Sequence, residues 1–123
     1  MEFSASYADA YQLVVQNTGG TTWSGTAVDT TTGNRVHIGS WTLPGGTQGI
    51  KGSQVGFIEY YLWNDGQNHP CSTLPFTSMT FGVPTTTMSG GSLGNAYEYG
   101  NCVGQVAFKS QRTSQGDAVS VGF

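Results

Sequence analysis

Charged side chains are scarce in this sequence, since Asp, Glu, Lys and Arg together make up 9% of its 123 residues. Lys and Arg number only four, and the net charge is -3. A protein that binds nucleic acid or an anionic membrane needs a basic patch, which this composition does not supply. We therefore expect neither nucleic acid nor a membrane among its partners.

Long apolar runs are missing as well. No stretch approaches the roughly 20 apolar residues that span a bilayer, and the N-terminus lacks the charged and apolar regions of a signal peptide. The opening Met1-Glu2-Phe3-Ser4 suggests residues left from cloning, so we expect that a leader or a preceding domain has been removed. Residues 1–9 are predicted to be an N-terminal arm or cloning remnant, and residues 10–123 a single domain.

Cysteine occurs only twice, at Cys71 and Cys102. Neither has the CxxC or Cys/His spacing of a metal site, and no glycine-rich loop follows a strand to cradle a phosphate, so we predict no metal and no cofactor. The pair predicts one disulfide and, from it, a secreted or extracellular protein. Two free thiols in a cytosolic domain are the alternative.

Helical periodicity is also missing, whereas short segments of alternating polar and apolar residues recur between Gly, Pro, Asn and Thr turns. The predicted class is all-β, as a small antiparallel β-sandwich or jelly roll of about seven or eight strands. The clearest hairpin joins residues 23–29 to 35–43 through a turn at 31–34. The other strands are expected at residues 11–16, 54–63, 76–83, 97–99, 103–109 and 118–123.

One acid stands in the most apolar segment, because Glu59 lies near the middle of residues 53–63. If this segment is a strand, Glu59 shares a face with Phe57, Tyr61 and Trp63, and Gln54 points to the opposite face. Glu59 could then be a general acid with a raised pKa, an acceptor for sugar hydroxyls, or a structural acid satisfied by hydrogen bonds. A catalytic role needs a second group, which Gln54 cannot supply without a β-bulge.

Aromatic residues are what the chain has in excess, at 12% of the sequence. Flat aromatic rings stack against pyranose rings while acids and amides bind the hydroxyls, so exposed aromatics predict carbohydrate binding, and core packing is the alternative. Trp63 is the strongest candidate because a loop follows it at the strand end. The predicted ligand-binding residues are Glu59, Tyr61, Trp63, Asp65 and Asn68.

Several short motifs carry a family resemblance, namely Thr31–Gly33, Ile38–Pro44, Phe57–Tyr61, Cys71–Phe76 and Phe81–Pro84. Over residues 10–87 the chain resembles the tail of secreted microbial proteins known only as a domain of unknown function, which implies export and a β-rich fold. Phe57-Ile58-Glu59 and Leu74-Pro75-Phe76-Thr77-Ser78 are also similar to the C-terminal half of the glutamic peptidases, which hydrolyse peptides with a Gln/Glu pair. Those enzymes take their glutamine from an N-terminal half, which we expect this chain to lack because only about ten residues precede its first predicted strand.

Three functions therefore remain open. The first is an exported, non-catalytic, lectin-like domain that binds a glycan or polysaccharide. The second is a glutamic-type hydrolase, or a fragment of one, in which Glu59 is catalytic. The third is an effector, inhibitor or structural domain whose aromatic patch binds protein, including a second copy in a homo-oligomer. His37 and His69 do not indicate a Ser/His/Asp triad, since no GxSxG motif accompanies them.

Overall fold

The computed structural model describes residues 3–52, 55–88 and 90–123, and it confirms the all-β class. The chain divides into two compact units, Met1–Ser53 and Gln54–Phe123. The described residues contain six strands, in two antiparallel sheets of three strands each, instead of the seven or eight expected. The sandwich or jelly roll and the single domain over residues 10–123 stay predictions.

The first unit holds a sheet of the strands β1 (Tyr11–Gly19), β2 (Thr22–Asp29) and β3 (Arg35–Thr42), paired in that order. The predicted hairpin between β2 and β3 is confirmed, with Trp23 opposite Trp41 and Val28 opposite Arg35.

The turn between β2 and β3 is organised by one acid. The carboxylate of Asp29 accepts hydrogen bonds from the backbone of Thr31 at 2.8 Å and from the Thr32 hydroxyl at 2.8 Å. The bond from the Thr32 side chain lowers the pKa of Asp29 most, and the backbone N–H groups of Thr32 and Thr31 lower it further. Gly33 completes the turn with a φ of 78°, a conformation that glycine adopts without strain.

Alternation gives this first sheet one apolar face, because residues paired in register share a face. Leu13 lies opposite Ala27, and Ala27 lies opposite Val36. Gly25 and Ala27, both in β2, are buried. We call this side the apolar face; it carries Leu13, Val15, Trp23, Ala27, Val36 and Trp41. The opposite face is polar, and there His37 contacts the hydroxyls of Ser24 and Ser40 at 3.3 Å each.

The second unit holds a sheet with β6 (Gly116–Val121) at its centre, between β4 (Thr77–Phe81) and β5 (Lys109–Thr113). Val119 of β6 is buried, as is Val106, whose carbonyl accepts a bond from the backbone of Gly122 at 2.7 Å. Central strands are paired on both edges, which is why β6 is the most buried strand of this sheet.

The strand predicted at residues 54–63 is wrong where the structure describes it. Gln54 lies outside the described residues, and residues 55–60 have no regular structure. A 3-10 turn follows at Tyr61–Trp63, in which the backbone of Trp63 donates to the carbonyl of Tyr60 at 3.0 Å. A continuous apolar run indicates burial but does not specify the backbone conformation, so the same residues are compatible with a turn.

The strands predicted at residues 97–99 and 103–109 are wrong as well. The chain here is irregular and turned, and a strand begins only at Lys109. Three residues have a positive φ, at 84° for Gly100, 74° for Gly104 and 51° for Ala107. A positive φ is incompatible with extended backbone, so these residues interrupt the ladder.

The predicted disulfide is confirmed. Cys71 and Cys102 are joined with their Cα atoms 5.5 Å apart. Cys71 opens the short 3-10 turn Cys71–Thr73, and Cys102 lies in the turned segment before Val106. The bridge thus ties two segments of irregular structure in the second unit. In the part of the chain that the structure describes, no helix has the length and apolarity to cross a bilayer.

Candidate functional sites

The residues predicted to bind a ligand lie in one irregular loop of the second unit. Glu59 precedes the 3-10 turn, and its Oε1 accepts a hydrogen bond from the amide of Asn64 at 3.0 Å. Glu59 is exposed. Because the segment is not a strand, the predicted face shared by Glu59 with Phe57, Tyr61 and Trp63 does not apply. The carboxylate is therefore held by an amide at the surface.

Trp63 stacks on His69. Their ring centroids are 5.2 Å apart, and the ring planes differ by only 2°. His69 is held in turn by Asp65, whose Oδ1 lies 2.9 Å from Nε2. Tyr60 meets Trp63 from another direction, with centroids 5.7 Å apart and planes at 78°. Trp63 is half-buried, so His69 and Tyr60 occupy part of the ring surface that was expected to receive a sugar.

Asp65 is the electrostatic centre of this loop. The hydrogen bond from His69 lowers the pKa of Asp65 most, and the backbone N–H of Gln67, which donates to Oδ1 at 2.8 Å, lowers it further. Both interactions favour the charged carboxylate. Asp65 thus uses one oxygen to close the turn and to orient the imidazole.

Two of the predicted site residues make no ring contact with Trp63. Tyr61 is 73% exposed, and Asn68 is exposed. Among the described residues the close aromatic pairs are Phe3–Tyr11, Tyr60–Trp63 and Trp63–His69. The aromatic excess is therefore spread over separate places, and the predicted single aromatic patch is not supported.

Sequence reasoning missed a groove in the first unit. It is an open depression of about 270 Å³ on the apolar face. Two tryptophans from neighbouring strands line it, and the chain that follows β3 supplies one wall. The lining residues are Val15, Trp23, Trp41, Leu43, Thr47, Gln48, Gly49 and Ile50.

Trp41 is positioned in this groove by two glycines that face each other across β2 and β3. A Cβ on Gly39 would lie 3.0 Å from Cζ2 of Trp41, and one on Gly25 would lie 3.1 Å from Cζ3. The benzene ring of the indole therefore covers both glycines, and no larger residue leaves it room. Trp41 remains 52% exposed toward the groove.

The sequence contains a signal for this arrangement. Gly39 precedes Trp41 by two residues, so both point to one face of a strand, and the predicted hairpin places Gly25 close by. Two small residues beside a large aromatic ring on one face indicate that the ring lies across the sheet. The β-bulge at Gly25/Thr26 sets the final register, and the sequence pattern does not show it.

Polar groups at the groove are few. The Thr47 hydroxyl donates to the carbonyl of Pro44 at 2.6 Å, which closes the turn after β3. Gln48 adds an exposed amide at the same wall. An apolar floor with an exposed indole and a neighbouring amide can hold the C–H face of a neutral ring and bond one of its hydroxyls.

Comparison with known families, curated proteins and solved structures finds no match to this chain. The resemblances noted from the sequence motifs therefore stay predictions. Among residues 3–52, 55–88 and 90–123, no group of three or more His, Cys, Asp or Glu side chains is placed to hold a metal ion.

Proposed function

We propose that the protein is an exported, non-catalytic carbohydrate-binding β-domain, with the sandwich architecture that its sequence predicts. The observation that carries the proposal is the indole of Trp41, which lies over Gly25 and Gly39 and is half exposed in a groove. A ring fixed in this way loses little rotamer freedom when a sugar stacks on it. The Cys71–Cys102 disulfide supports export, because such bonds persist in oxidising compartments.

The groove favours a neutral sugar. Its lining contains no charged residue, and its one exposed side-chain amide is Gln48. A charged sugar would lose hydration here without gaining an ion pair. We therefore expect hexose or pentose polymers without carboxylates or sulfates to bind better than acidic glycans.

The test is a glycan array followed by isothermal titration calorimetry with the best ligand. Trp41→Ala should abolish measurable binding, because the proposed contact with the sugar is stacking on this ring. Tyr97→Ala is the matched control, because Tyr97 is an exposed aromatic residue that does not line the groove. Flat responses across plant, fungal and animal glycans, or binding that survives Trp41→Ala, would reject the proposal.

The loop from Glu59 to His69 offers a second position for a sugar. Exposed Tyr61 supplies a ring, and Glu59, Asp65 and Asn68 supply acceptors or an amide. Tyr61→Ala in the same titration decides between the positions. If that variant loses binding and Trp41→Ala keeps it, the loop is the site and the groove is not.

A glutamic-type hydrolase is the second candidate function. It rests on the exposed position of Glu59, which leaves the carboxylate open to a substrate, and on the amide of Asn64 bonded to it. Peptide hydrolysis at acid pH that is lost in Glu59→Gln would support it. Activity that is absent, or that survives this substitution, would exclude a catalytic role for Glu59.

A further inference from the structure

The strand β1 forms an unprotected edge of the first sheet. It spans nine residues, Tyr11–Gly19, and pairs with β2 on one side only. The strand contains no charged residue and no proline, and its bulge lies at the far end, between Asn17 and Gly19. Leu13 is 72% and Val15 54% exposed. Long, flat, uncharged edges of this kind pair readily with another strand.

The other edge strands carry the features that block such pairing. On the first sheet, β3 begins with Arg35 and carries a bulge, in which Ile38 has no partner opposite the Gly25/Thr26 step of β2. On the second sheet, β5 contains Lys109 and Arg112. The remaining edge strand, β4, has only five residues. Charge, bulges and short length are the usual protections of a sheet edge, and β1 has none of them along residues 11–16.

The backbone groups that β1 offers can be identified from its pairing with β2. The N–H of Thr30 donates to the carbonyl of Ala10 at 2.9 Å, beside the opposed pair Tyr11 and Asp29. The N–H and C=O of one residue point to the same side of a strand, and the side alternates from residue to residue, so those of the even-numbered residues point to β2. The N–H and C=O groups of Tyr11, Leu13, Val15 and Asn17 therefore point outward from the sheet.

These outward groups are self-complementary around Val14. When a second β1 runs antiparallel with Val14 opposite Val14, Leu13 lies opposite Val15 and Gln12 opposite Gln16. Leu13 and Val15 then meet on one face, Val14 and the amides of Gln12 and Gln16 meet on the other, and no like charges oppose each other. In this register odd-numbered residues lie opposite odd-numbered ones and even opposite even. The apolar faces of both copies therefore lie on the same side of the joined sheet.

We propose that β1 is a homodimerisation edge, through which two copies of this chain form one six-stranded sheet with Val14 on the two-fold axis. The partner is a second copy because the register is symmetric and matches like with like at every position from Gln12 to Gln16. This inference is independent of the proposed sugar groove, because the edge uses backbone groups of β1 and not the ring of Trp41.

The first experiment measures mass in solution. Sedimentation equilibrium of the full chain should give twice the 13.0 kDa chain mass at high concentration. Leu13→Pro removes an outward N–H that no bond to β2 requires, and the symmetric dimer loses two bonds, so the dissociation constant should rise about tenfold or more. Leu13→Ala keeps that N–H and should remain dimeric. A monomeric wild-type chain, or a dimer that Leu13→Pro leaves unchanged, overturns the proposal.

The second experiment tests the register without relying on Leu13→Pro to fold. In the proposed pairing Val14 and its symmetry mate form a non-hydrogen-bonded pair, whose Cα atoms approach to about 4.5 Å, within the range of a disulfide. Val14→Cys should therefore form a covalent dimer under mild oxidation. Leu13→Cys, whose partner is Val15, should not. Failure of Val14→Cys to cross-link, or equal cross-linking of both variants, overturns the pairing.

Discussion

The imidazole of His69 lies parallel to the indole of Trp63, with ring centroids 5.2 Å apart, and Asp65 fixes the imidazole from its edge. Trp63, which the sequence pattern places at the end of a strand, thus forms one ordered unit with Asp65 and His69 of the loop that follows. The loop is shaped by a hydrogen bond and a ring stack, with no regular strand to support it.

This arrangement predicts a pH dependence. The pKa of Asp65 is lowered in the folded chain, mainly by the bond from His69. A lowered carboxyl pKa contributes stability that is present above the ordinary value of about 4 and is lost as the pH falls toward the folded value. The Asp65 carboxyl, followed by NMR, should therefore titrate below about pH 4. Asp65→Asn should remove this transition and leave that of Asp29 intact.

The position of the Trp41 ring over Gly39 predicts that a side chain at position 39 lowers the free energy of unfolding. A methyl group on Gly39 would lie 3.0 Å from the indole, so Gly39→Ala must displace the ring. We expect a loss of about 1 kcal/mol in the free energy of unfolding and weaker glycan binding. Chemical denaturation and calorimetry measure the two effects. Gly45→Ala, where no atom lies within 4 Å of the added group, should change neither.

The disulfide predicts a large loss of stability on reduction. Cys71 and Cys102 are 31 residues apart, and a loop of that length corresponds to about 3.5 to 4 kcal/mol in the chain-entropy description. Urea denaturation of the double variant Cys71→Ser/Cys102→Ser should show this decrease. Adding a reductant to that variant should have no further effect, whereas the wild-type chain should fall to its level. A wild-type chain indifferent to complete reduction would contradict the expectation.

The buried carboxylate of Asp117 in β6 predicts that the second sheet is destabilised when this group loses a hydrogen bond. Asp117 is 3% exposed, accepts a hydrogen bond from the Ser110 hydroxyl at 2.8 Å, and lies 3.9 Å from Nε of Arg112. Ser110→Ala leaves the buried carboxylate without its closest donor, so we expect about 1.5 to 3 kcal/mol of destabilisation. Thermal unfolding checks this. Gln111→Ala, an exposed neighbour on the same strand, is the control and should stay within about 0.5 kcal/mol of wild type.

Elements with clear alternation could be predicted from the sequence. The β2–β3 hairpin and the strand from Tyr11 were expected close to where they occur, because period-two patterns bounded by turn residues depend only on local chemistry. Two cysteines allow only the pairing Cys71–Cys102, and the structure shows that this bond forms. The site at Glu59 to Asn68 was proposed from residue types, and its ligand-binding role remains a prediction.

The sequence by itself determined the all-β class, the hairpin and the one possible pairing of its cysteines, because each depends on local pattern or on a unique pair of residues. Only the tertiary structure decided that residues 55–63 form an irregular segment and a turn instead of a strand, and that His69 stacks on the ring of Trp63. It also placed Trp41 over Gly25 and Gly39 and left β1 as an open edge. These features depend on register and on contacts between residues distant in the chain, which a one-dimensional pattern of polarity does not encode.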